Sequence, residues 1–148
     1  MKQKINGSIT IRELRKQEGL SEMPEIVKEA PLSDWYFKIS SQKIKELSFE
    51  DLARLIREEQ HLGFIVPFVI PFLEKDPSIG DLYDFELLRS FLSINKEFWN
   101  VNRDIALSFL SLVKNLIKTD YVSSYDWVDE EDKNEFIELL QNLQIQIN

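Results

Sequence analysis

Apolar residues recur every three or four positions along several segments of this chain, which is the spacing of one face of an α-helix. The clearest segment starts at Ser48, where a hydroxyl precedes the carboxylate of Asp51 by three residues, as at the beginning of many helices. The apolar residues that follow share one helical face: Phe49, Leu52, Ala53, Leu55 and Ile56. We predict that this helix ends at Gly63, and that the next one has Pro67 in its first turn and closes at Asp76-Pro77.

The C-terminal half carries the strongest helical patterns. Between Val101 and Lys118 a narrow polar stripe interrupts an otherwise apolar sequence, and so wide an apolar arc predicts a helix that is buried on most sides. Asp84 or its neighbour is predicted to begin a short helix with Leu92 on its inner face, and Asn95 to begin a turn. Asp129 is predicted to cap the last helix, in which the inward-facing residues are Phe136, Leu139, Leu140, Leu143 and Ile147.

The N-terminal third is predicted to hold shorter helices. Thr10 and Glu13 match a capping box, and Gly19 provides a stop for the helix between them. Two prolines limit the segment from Ser21 to Leu32 to one or two helical turns, and a further helix is predicted to start near Ser33.

No segment of the chain alternates apolar and polar residues as a half-buried strand does. The 148 residues are 43% hydrophobic and 30% charged, so the chain is long and apolar enough to bury a core. The predicted fold class is all-α, a compact multi-helix bundle with a buried central helix. We expect it to form a single domain over residues 1–148.

Composition limits the types of site that the protein can contain and the cellular compartment expected for it. The absence of cysteine excludes disulfides and thiolate metal sites. The longest apolar run, from Phe64 to Leu73, contains two prolines and is much shorter than the roughly 20 residues of a membrane-spanning helix. The N-terminus lacks the apolar stretch of a secretion signal. We therefore expect a cytoplasmic protein that does not act at a membrane.

The formal net charge of −8 indicates the type of partner. An acidic surface repels phosphate backbones, which argues against nucleic-acid binding, and it steers basic proteins toward the chain. Acidic residues are densest between Asp126 and Glu138. They either complement the dipole of the last helix or form a docking patch for a basic domain, and both interpretations stay open at this stage.

Large aromatic side chains in loops beside carboxylates are typical of interface anchors, and Tyr125 and Trp127 occupy such positions. The residues predicted to bind a partner in this segment are Tyr125, Asp126, Trp127, Asp129, Glu130 and Asp132. A second acidic loop, from Asp76 to Glu86, is the next candidate and contributes Asp81, Asp84 and Glu86.

Recognisable catalytic machinery is absent from the sequence. His61 is the only histidine, and its position just before Gly63 favours an interaction with the C-terminal end of a helix over a metal-binding or catalytic role. The common catalytic and phosphate-binding motifs do not occur. We therefore assign no catalytic residue, no metal ligand and no cofactor.

A series of residues between Leu47 and Trp99 follows the pattern of a known family: Phe49-Glu50-Asp51-Leu52, Leu55-Ile56, Leu62, Ile65-Val66-Pro67, Leu73-Glu74-Lys75-Asp76-Pro77, Tyr83, Leu87-Leu88 and Phe98-Trp99. Through these residues the chain resembles immunity proteins of bacterial contact-dependent growth inhibition systems. It departs from their pattern at Arg57-Glu58, at His61 and at Phe85-Glu86. Most of the matching residues are apolar, so the resemblance bears on the fold more directly than on a contact surface.

The resemblance implies a protein without enzymatic activity that binds and neutralises the toxic C-terminal domain of a cognate effector, which we expect to be a nuclease. A negative patch would then mimic the phosphate backbone that such a toxin grips. Two other interpretations stay open. One is an acidic helical adapter or regulator that binds a different basic partner, and the other is an enzyme that uses scattered carboxylates and a divalent metal.

Overall fold

The computed structural model describes residues 6–20 and 31–148. Over these two ranges the chain forms nine α-helices and two short 3-10 helices but no β-strand, so the predicted all-α fold class is confirmed. The chain divides into two compact units, residues 1–48 and residues 49–148. Within the described ranges, no helix has both the length and the apolar composition that crossing a membrane requires.

The first unit contains two α-helices and a 3-10 turn: α1 (Ile11–Gln17), α2 (Pro31–Ile39) and the turn Ile44–Glu46. The Thr10 cap predicted for α1 is present, because the Thr10 hydroxyl accepts a hydrogen bond of 3.2 Å from the Glu13 backbone N–H. The Glu13 carboxylate accepts from the Thr10 hydroxyl at 3.1 Å, whereas in a full capping box it accepts from the Thr10 backbone N–H. Gly19 follows the helix with a φ of +72°, the left-handed conformation in which many helices end. The segment from Ser21 to Leu32, predicted to hold one or two helical turns, lies mostly outside the described residues.

The second unit contains the remaining helices: α3 (Phe49–Arg57), α4 (Leu62–Lys75), α5 (Glu86–Ser90) with the 3-10 turn Phe91–Ser93, α6 (Lys96–Val101), α7 (Arg103–Lys118), α8 (Tyr121–Ser124) and α9 (Glu130–Ile147). Helix α9 matches its prediction. The Asp129 side chain accepts the Asp132 backbone N–H at 2.8 Å, and all five residues assigned to the inner face are buried. Asn95 likewise caps α6 by accepting the Phe98 N–H at 2.8 Å.

The junction between α3 and α4 differs from its prediction. Helix α3 ends at Arg57, and Gly63 lies in the first turn of α4 instead of ending α3. The left-handed conformations at this junction belong to Glu59 and His61, with φ values of +53° and +56°. Glu59 is held there because its carboxylate accepts hydrogen bonds from the backbone and side-chain N–H groups of Asn95, at 2.7 and 2.9 Å. His61 therefore lies directly before α4, so it does not stand at a helix end closed by Gly63, the position from which its interaction was predicted.

Helix α4 runs through two prolines. Because α4 begins at Leu62, Pro67 lies beyond the first turn in which it was predicted, and Pro71 follows one turn later. Neither proline can donate a backbone hydrogen bond, so the helix gives up two of its regular interactions. The buried residues Ile65, Val66, Val69, Ile70 and Leu73 hold it by packing instead. The helix closes before Asp76, as predicted.

Helix α7 has the central position that its pattern predicted, because it contacts α4, α6, α8 and α9. Its inner face buries Ala106, Phe109, Leu110, Leu112, Val113 and Leu116. The apolar arc is nevertheless wider than the buried face, since Leu107 and Ile117 are 56% and 46% exposed. Leu92, predicted to point inward from the preceding segment, is also exposed.

Candidate functional site

The two acidic segments that the sequence offered as alternatives lie side by side in the second unit. The Tyr125 hydroxyl donates a hydrogen bond of 2.6 Å to Oδ2 of Asp84, which joins the end of α8 to the loop before α5. One residue after Asp84 and two residues after Tyr125, the rings of Phe85 and Trp127 stack, with centroids 5.6 Å apart and an interplanar angle of 17°. The structure thus brings the first and second candidates together as one surface.

Five aromatic rings form the centre of this surface, and we call them the aromatic platform: Phe85, Tyr121, Tyr125, Trp127 and Phe136. Phe85 and Phe136 are buried, with centroids 4.5 Å apart, and the other three rings are half-buried around them. The rings of Tyr125 and Trp127 contact each other in a tilted arrangement, with centroids 4.5 Å apart. The Trp127 indole N–H donates to the Val122 carbonyl at 2.7 Å, so both its ring and its polar atom are held within the chain.

Local structure positions these rings in two ways. Tyr121 to Ser124 form the short helix α8, and the chain then turns so that Tyr125 and Trp127 both contact Phe85. Phe85 has a φ of +66°, a left-handed conformation that is uncommon for a bulky residue and costs energy. It occupies the position before α5 that Asp84 was a candidate to fill, which leaves the Asp84 carboxylate to accept from Tyr125.

The loop from Asp76 to Glu86, which we call the 76–86 loop, is held by its own hydrogen bonds. Oδ1 of Asp76 accepts from the Ser78 backbone N–H at 3.0 Å and from its hydroxyl at 2.6 Å. The Phe85 backbone N–H donates a hydrogen bond of 2.8 Å to the Ser78 carbonyl. Gly80 is needed at its position, since a Cβ atom there would lie 2.3 Å from the Tyr83 carbonyl oxygen and 2.7 Å from Cβ of Glu86.

Glu86 was predicted to bind a partner, but its side chain is fully buried. Its Oε1 accepts the backbone N–H groups of Asp81 and Leu82, at 2.9 and 3.3 Å, and so closes the 76–86 loop from the inside. Among the described residues its Oε2 has no hydrogen-bond partner. The prediction for Glu86 is therefore corrected, because a carboxylate turned inward to its own loop is not available to a protein that docks outside.

Two of the remaining candidate carboxylates also have structural tasks. Oδ2 of Asp81 accepts the Glu50 backbone N–H at 2.8 Å, which places a negative charge at the N-terminus of α3. Asp129 does the same for α9. Both side chains remain exposed, as do those of Asp84, Asp126 and Glu130, so the surface keeps a rim of accessible carboxylates around the aromatic platform.

The carboxylates change the chemistry of the two platform phenols. Burial, then the hydrogen bond to Asp84 and its charge, raise the pKa of Tyr125 to about 12 from an ordinary value of 10.0. The pKa of Tyr121 is also raised, first by burial and then by the charges of Tyr125, Asp76 and Asp84. Asp132 adds to the effect on Tyr125. Near neutral pH both phenols therefore keep their protons, and Tyr125 donates its proton to the Asp84 carboxylate.

Three exposed apolar residues beside this surface were missed by the sequence reasoning. Leu82 and Tyr83, at the outer turn of the 76–86 loop, are 64% and 48% exposed, and Val128 is 89% exposed. A signal was present in the sequence, since each of the three is a large apolar residue next to an aspartate and outside any helical period. As an indicator of an interface it was weaker than a tyrosine or tryptophan in a loop, and the prediction therefore named Tyr125 and Trp127.

Within the described part of the chain, no group of three or more histidine or carboxylate side chains is arranged to hold a metal ion. The polar groups of the surface include the Tyr125 phenol, which donates to Asp84, and carboxylates that accept from backbone N–H groups. Such an arrangement can bind cationic side chains by charge and hydrogen bonding, with apolar area beside them.

Comparison with known proteins gives the family of the chain. No curated protein matches it. The family model described as CDI immunity proteins, where CDI stands for contact-dependent growth inhibition, matches residues 17–108, which is more than half of the sequence. The matched region includes the 76–86 loop and ends before α8 and the start of α9. The chain therefore belongs to the family of CDI immunity proteins.

Proposed function

We propose that this protein protects its cell by binding the toxic C-terminal domain of a cognate contact-dependent inhibition effector in the cytoplasm and keeping that domain inactive. Family membership supports the general task. The Tyr125–Asp84 hydrogen bond is the observation that carries the location, because it unites two acidic segments into one surface around the aromatic platform. No catalytic step by the immunity protein is required.

The proposed toxin-facing residues are Tyr125, Asp126, Trp127, Asp129, Glu130, Asp132, Asp81 and Asp84. The distribution of charge supports the second unit, which contains these residues, as the part that binds the toxin domain. Residues 49–148 contain 9 basic and 19 acidic side chains, a formal charge of −10, whereas residues 1–48 contain 9 and 7, a formal charge of +2. A basic partner is therefore steered toward the second unit.

The chemistry of the surface favours a toxin that acts on nucleic acid. A nuclease holds its substrate through basic groups that contact phosphates, and those groups are attracted to exposed carboxylates in the same way. A protein bound there occupies the basic groups and excludes the nucleic acid from them. Inhibition then follows from blocked substrate access, and the phenols and carboxylates of the platform act only as a docking surface.

The first test is co-expression with the toxin domain encoded immediately upstream of this chain's gene. We expect rescued growth and co-purification of the two proteins. If the chain neither protects nor binds that domain, the proposal fails, and an acidic adapter with another basic partner becomes the better interpretation.

A charge-reversal experiment tests the location of the surface. Two of the proposed toxin-facing residues, Asp126 and Glu130, are changed to lysine together with the neighbouring exposed Glu131, which leaves the Asp129 cap of α9 in place. We expect association with the toxin domain to slow by about tenfold or more at low salt and to lose most of its salt dependence. The matched control reverses exposed acids elsewhere in the second unit, with the same change in net charge: Glu58, Glu97 and Asp104. Equal effects in both variants would mean that only net charge matters.

Truncation of Trp127 tests the aromatic part of the surface. Trp127→Ala should speed dissociation and cost about 2 kcal/mol or more of binding free energy if the ring is central to the interface. Trp127→Phe is the control, since it keeps a ring against Phe85 and removes only the N–H bond to Val122. Unchanged affinity in the alanine variant would move the interface away from this ring.

A further inference from the structure

The outer turn of the 76–86 loop exposes two adjacent apolar side chains. Leu82 is 64% exposed and Tyr83 is 48% exposed, and acidic residues stand on both sides of the pair. The Tyr83 ring takes no part in the aromatic platform, and no hydrogen bond from another described residue holds its hydroxyl. Two adjacent apolar side chains exposed on one turn mark a contact site more strongly than single exposed apolar residues do.

The turn is built to hold its shape without a partner. From the inside, the Glu86 carboxylate accepts two backbone N–H groups, those of Asp81 and Leu82. Oδ2 of Asp81 ties the start of the turn to α3 through the Glu50 N–H. At its end, Phe85 adopts its left-handed conformation and is locked in the aromatic platform. A turn that is already ordered loses little conformational entropy on binding.

The platform tryptophan and tyrosine are less free to serve as anchors. Trp127 stacks on Phe85 and donates to Val122, and Tyr125 donates to Asp84, so much of their contact potential is already used within the chain. Leu82 and Tyr83 present their side chains to solvent from the same surface. The structure therefore separates a packed support from an exposed contact element.

We infer that Leu82 and Tyr83 are the apolar anchor through which the toxin domain is gripped, and that Glu86 is the positioning residue that presents them. This inference rests on the proposed function. The matching site on the toxin is an apolar depression bordered by basic side chains, because the anchor is bordered by the carboxylates of Asp81 and Asp84. Other exposed apolar residues, such as Val101 and Leu107, lack flanking acids on both sides.

The test measures binding of the toxin domain encoded immediately upstream to the full chain and to a double variant, Leu82→Ala with Tyr83→Ala. We expect the double variant to bind about 30-fold more weakly or worse, mainly through faster dissociation. The matched control, Val101→Ala with Leu107→Ala, removes similarly exposed apolar side chains from α6 and α7 and should stay within about twofold of the unmodified chain.

Binding by the unmodified chain distinguishes failure of the anchor from failure of the proposed function. If it binds the toxin domain and the double variant binds equally well, the anchor is refuted while the proposed function stands. If the unmodified chain does not bind, the proposed function fails and the anchor fails with it. Weaker binding in the double variant alone supports both.

The positioning role of Glu86 has a readout that does not need the toxin. Glu86→Ala should speed hydrogen exchange at the backbone N–H groups of Asp81 and Leu82 by about tenfold or more, because their acceptor is gone. Glu86→Gln keeps a side-chain carbonyl at the same distance and should restore most of the protection. Exchange at both groups that is unchanged in Glu86→Ala would remove Glu86 from the proposal. If the alanine variant does not fold, Glu86→Asp keeps the charge, shortens the reach and should show the same loss of protection.

Discussion

The second unit contains two aromatic clusters with different roles, and only one of them includes tyrosine. In the core cluster, Phe91, Trp99 and Phe109 are fully buried and stack closely, with Phe91 and Phe109 4.3 Å apart and an angle of 13° between Trp99 and Phe109. In the aromatic platform, two buried phenylalanines support half-buried rings that carry polar atoms. The core cluster removes apolar area from water, whereas the platform holds an acidic surface in place.

The polar atoms of the two clusters show the difference most directly. The Trp99 indole N–H is buried and, among described residues, has no acceptor, which costs free energy that the packing of the ring has to exceed. In the platform, the N–H of Trp127 and the hydroxyl of Tyr125 both have acceptors. The aromatic rings of the core cluster thus fill buried space, whereas those of the aromatic platform also form hydrogen bonds that fix their positions.

The largest expected effect comes from the core cluster. Phe109→Ala deletes a fully buried ring that stacks on Phe91 and Trp99, and should cost about 3–5 kcal/mol of unfolding free energy in urea denaturation. The control is Leu107→Ala on the same helix, which is mostly exposed and should change stability by about 0.5 kcal/mol or less. A small loss in Phe109→Ala would mean that this cluster is not the structural centre of the unit.

A smaller effect is expected at the acidic rim of the platform. Asp129→Ala leaves the Asp132 N–H without its acceptor and should cost about 0.5–2 kcal/mol of stability, as the loss of a helix cap does. Glu130→Ala, next to it, is exposed and should cost much less. Equal stability of the two variants would show that Asp129 does not act as a cap, and would leave docking as its main role.

The helices on both sides of this comparison, with their caps and buried faces, could largely be predicted from the sequence, because their signals are local. Asp129 and Asp132 are three residues apart, and the buried residues of α9 follow the helical period. The assembly of the aromatic platform depends instead on contacts between residues that are far apart in the sequence. Asp84 and Tyr125 are 41 positions apart, so their hydrogen bond joins two segments that appeared as separate alternatives. The reason is general, since short-range patterns describe a helix and its cap but not which loops meet.

Two corrections have the same physical origin. The inward position of Glu86 depends on the 76–86 loop folding back over it, and acidity alone predicted an exposed side chain. The end of α3 depends on Asn95, 36 positions away from the Glu59 carboxylate that it binds, and this contact stabilises a conformation usually left to glycine. In both places a carboxylate that accepts backbone N–H groups overrides the preference on which the prediction was based, within one loop at Glu86 and between distant segments at Glu59.

The smallest expected effect is a pH dependence that only the platform can have, because phenylalanine and tryptophan do not titrate. The pKa of Tyr125 is raised to about 12 in the folded chain from 10.0, so between these values the unfolded chain loses a proton that the folded chain keeps. Stability supplied by the neutral phenol is therefore fully present below about pH 10 and is lost as the pH rises toward about 12. Asp84→Asn removes the negative charge and should lower the pKa of Tyr125, although burial, the largest cause, should keep it above 10.0. The tyrosinate absorbance followed through an alkaline titration measures this, with Tyr125→Phe assigning the transition. A curve that Asp84→Asn leaves unchanged would mean that Asp84 and Tyr125 do not interact, and that the two acidic segments are not joined at this point.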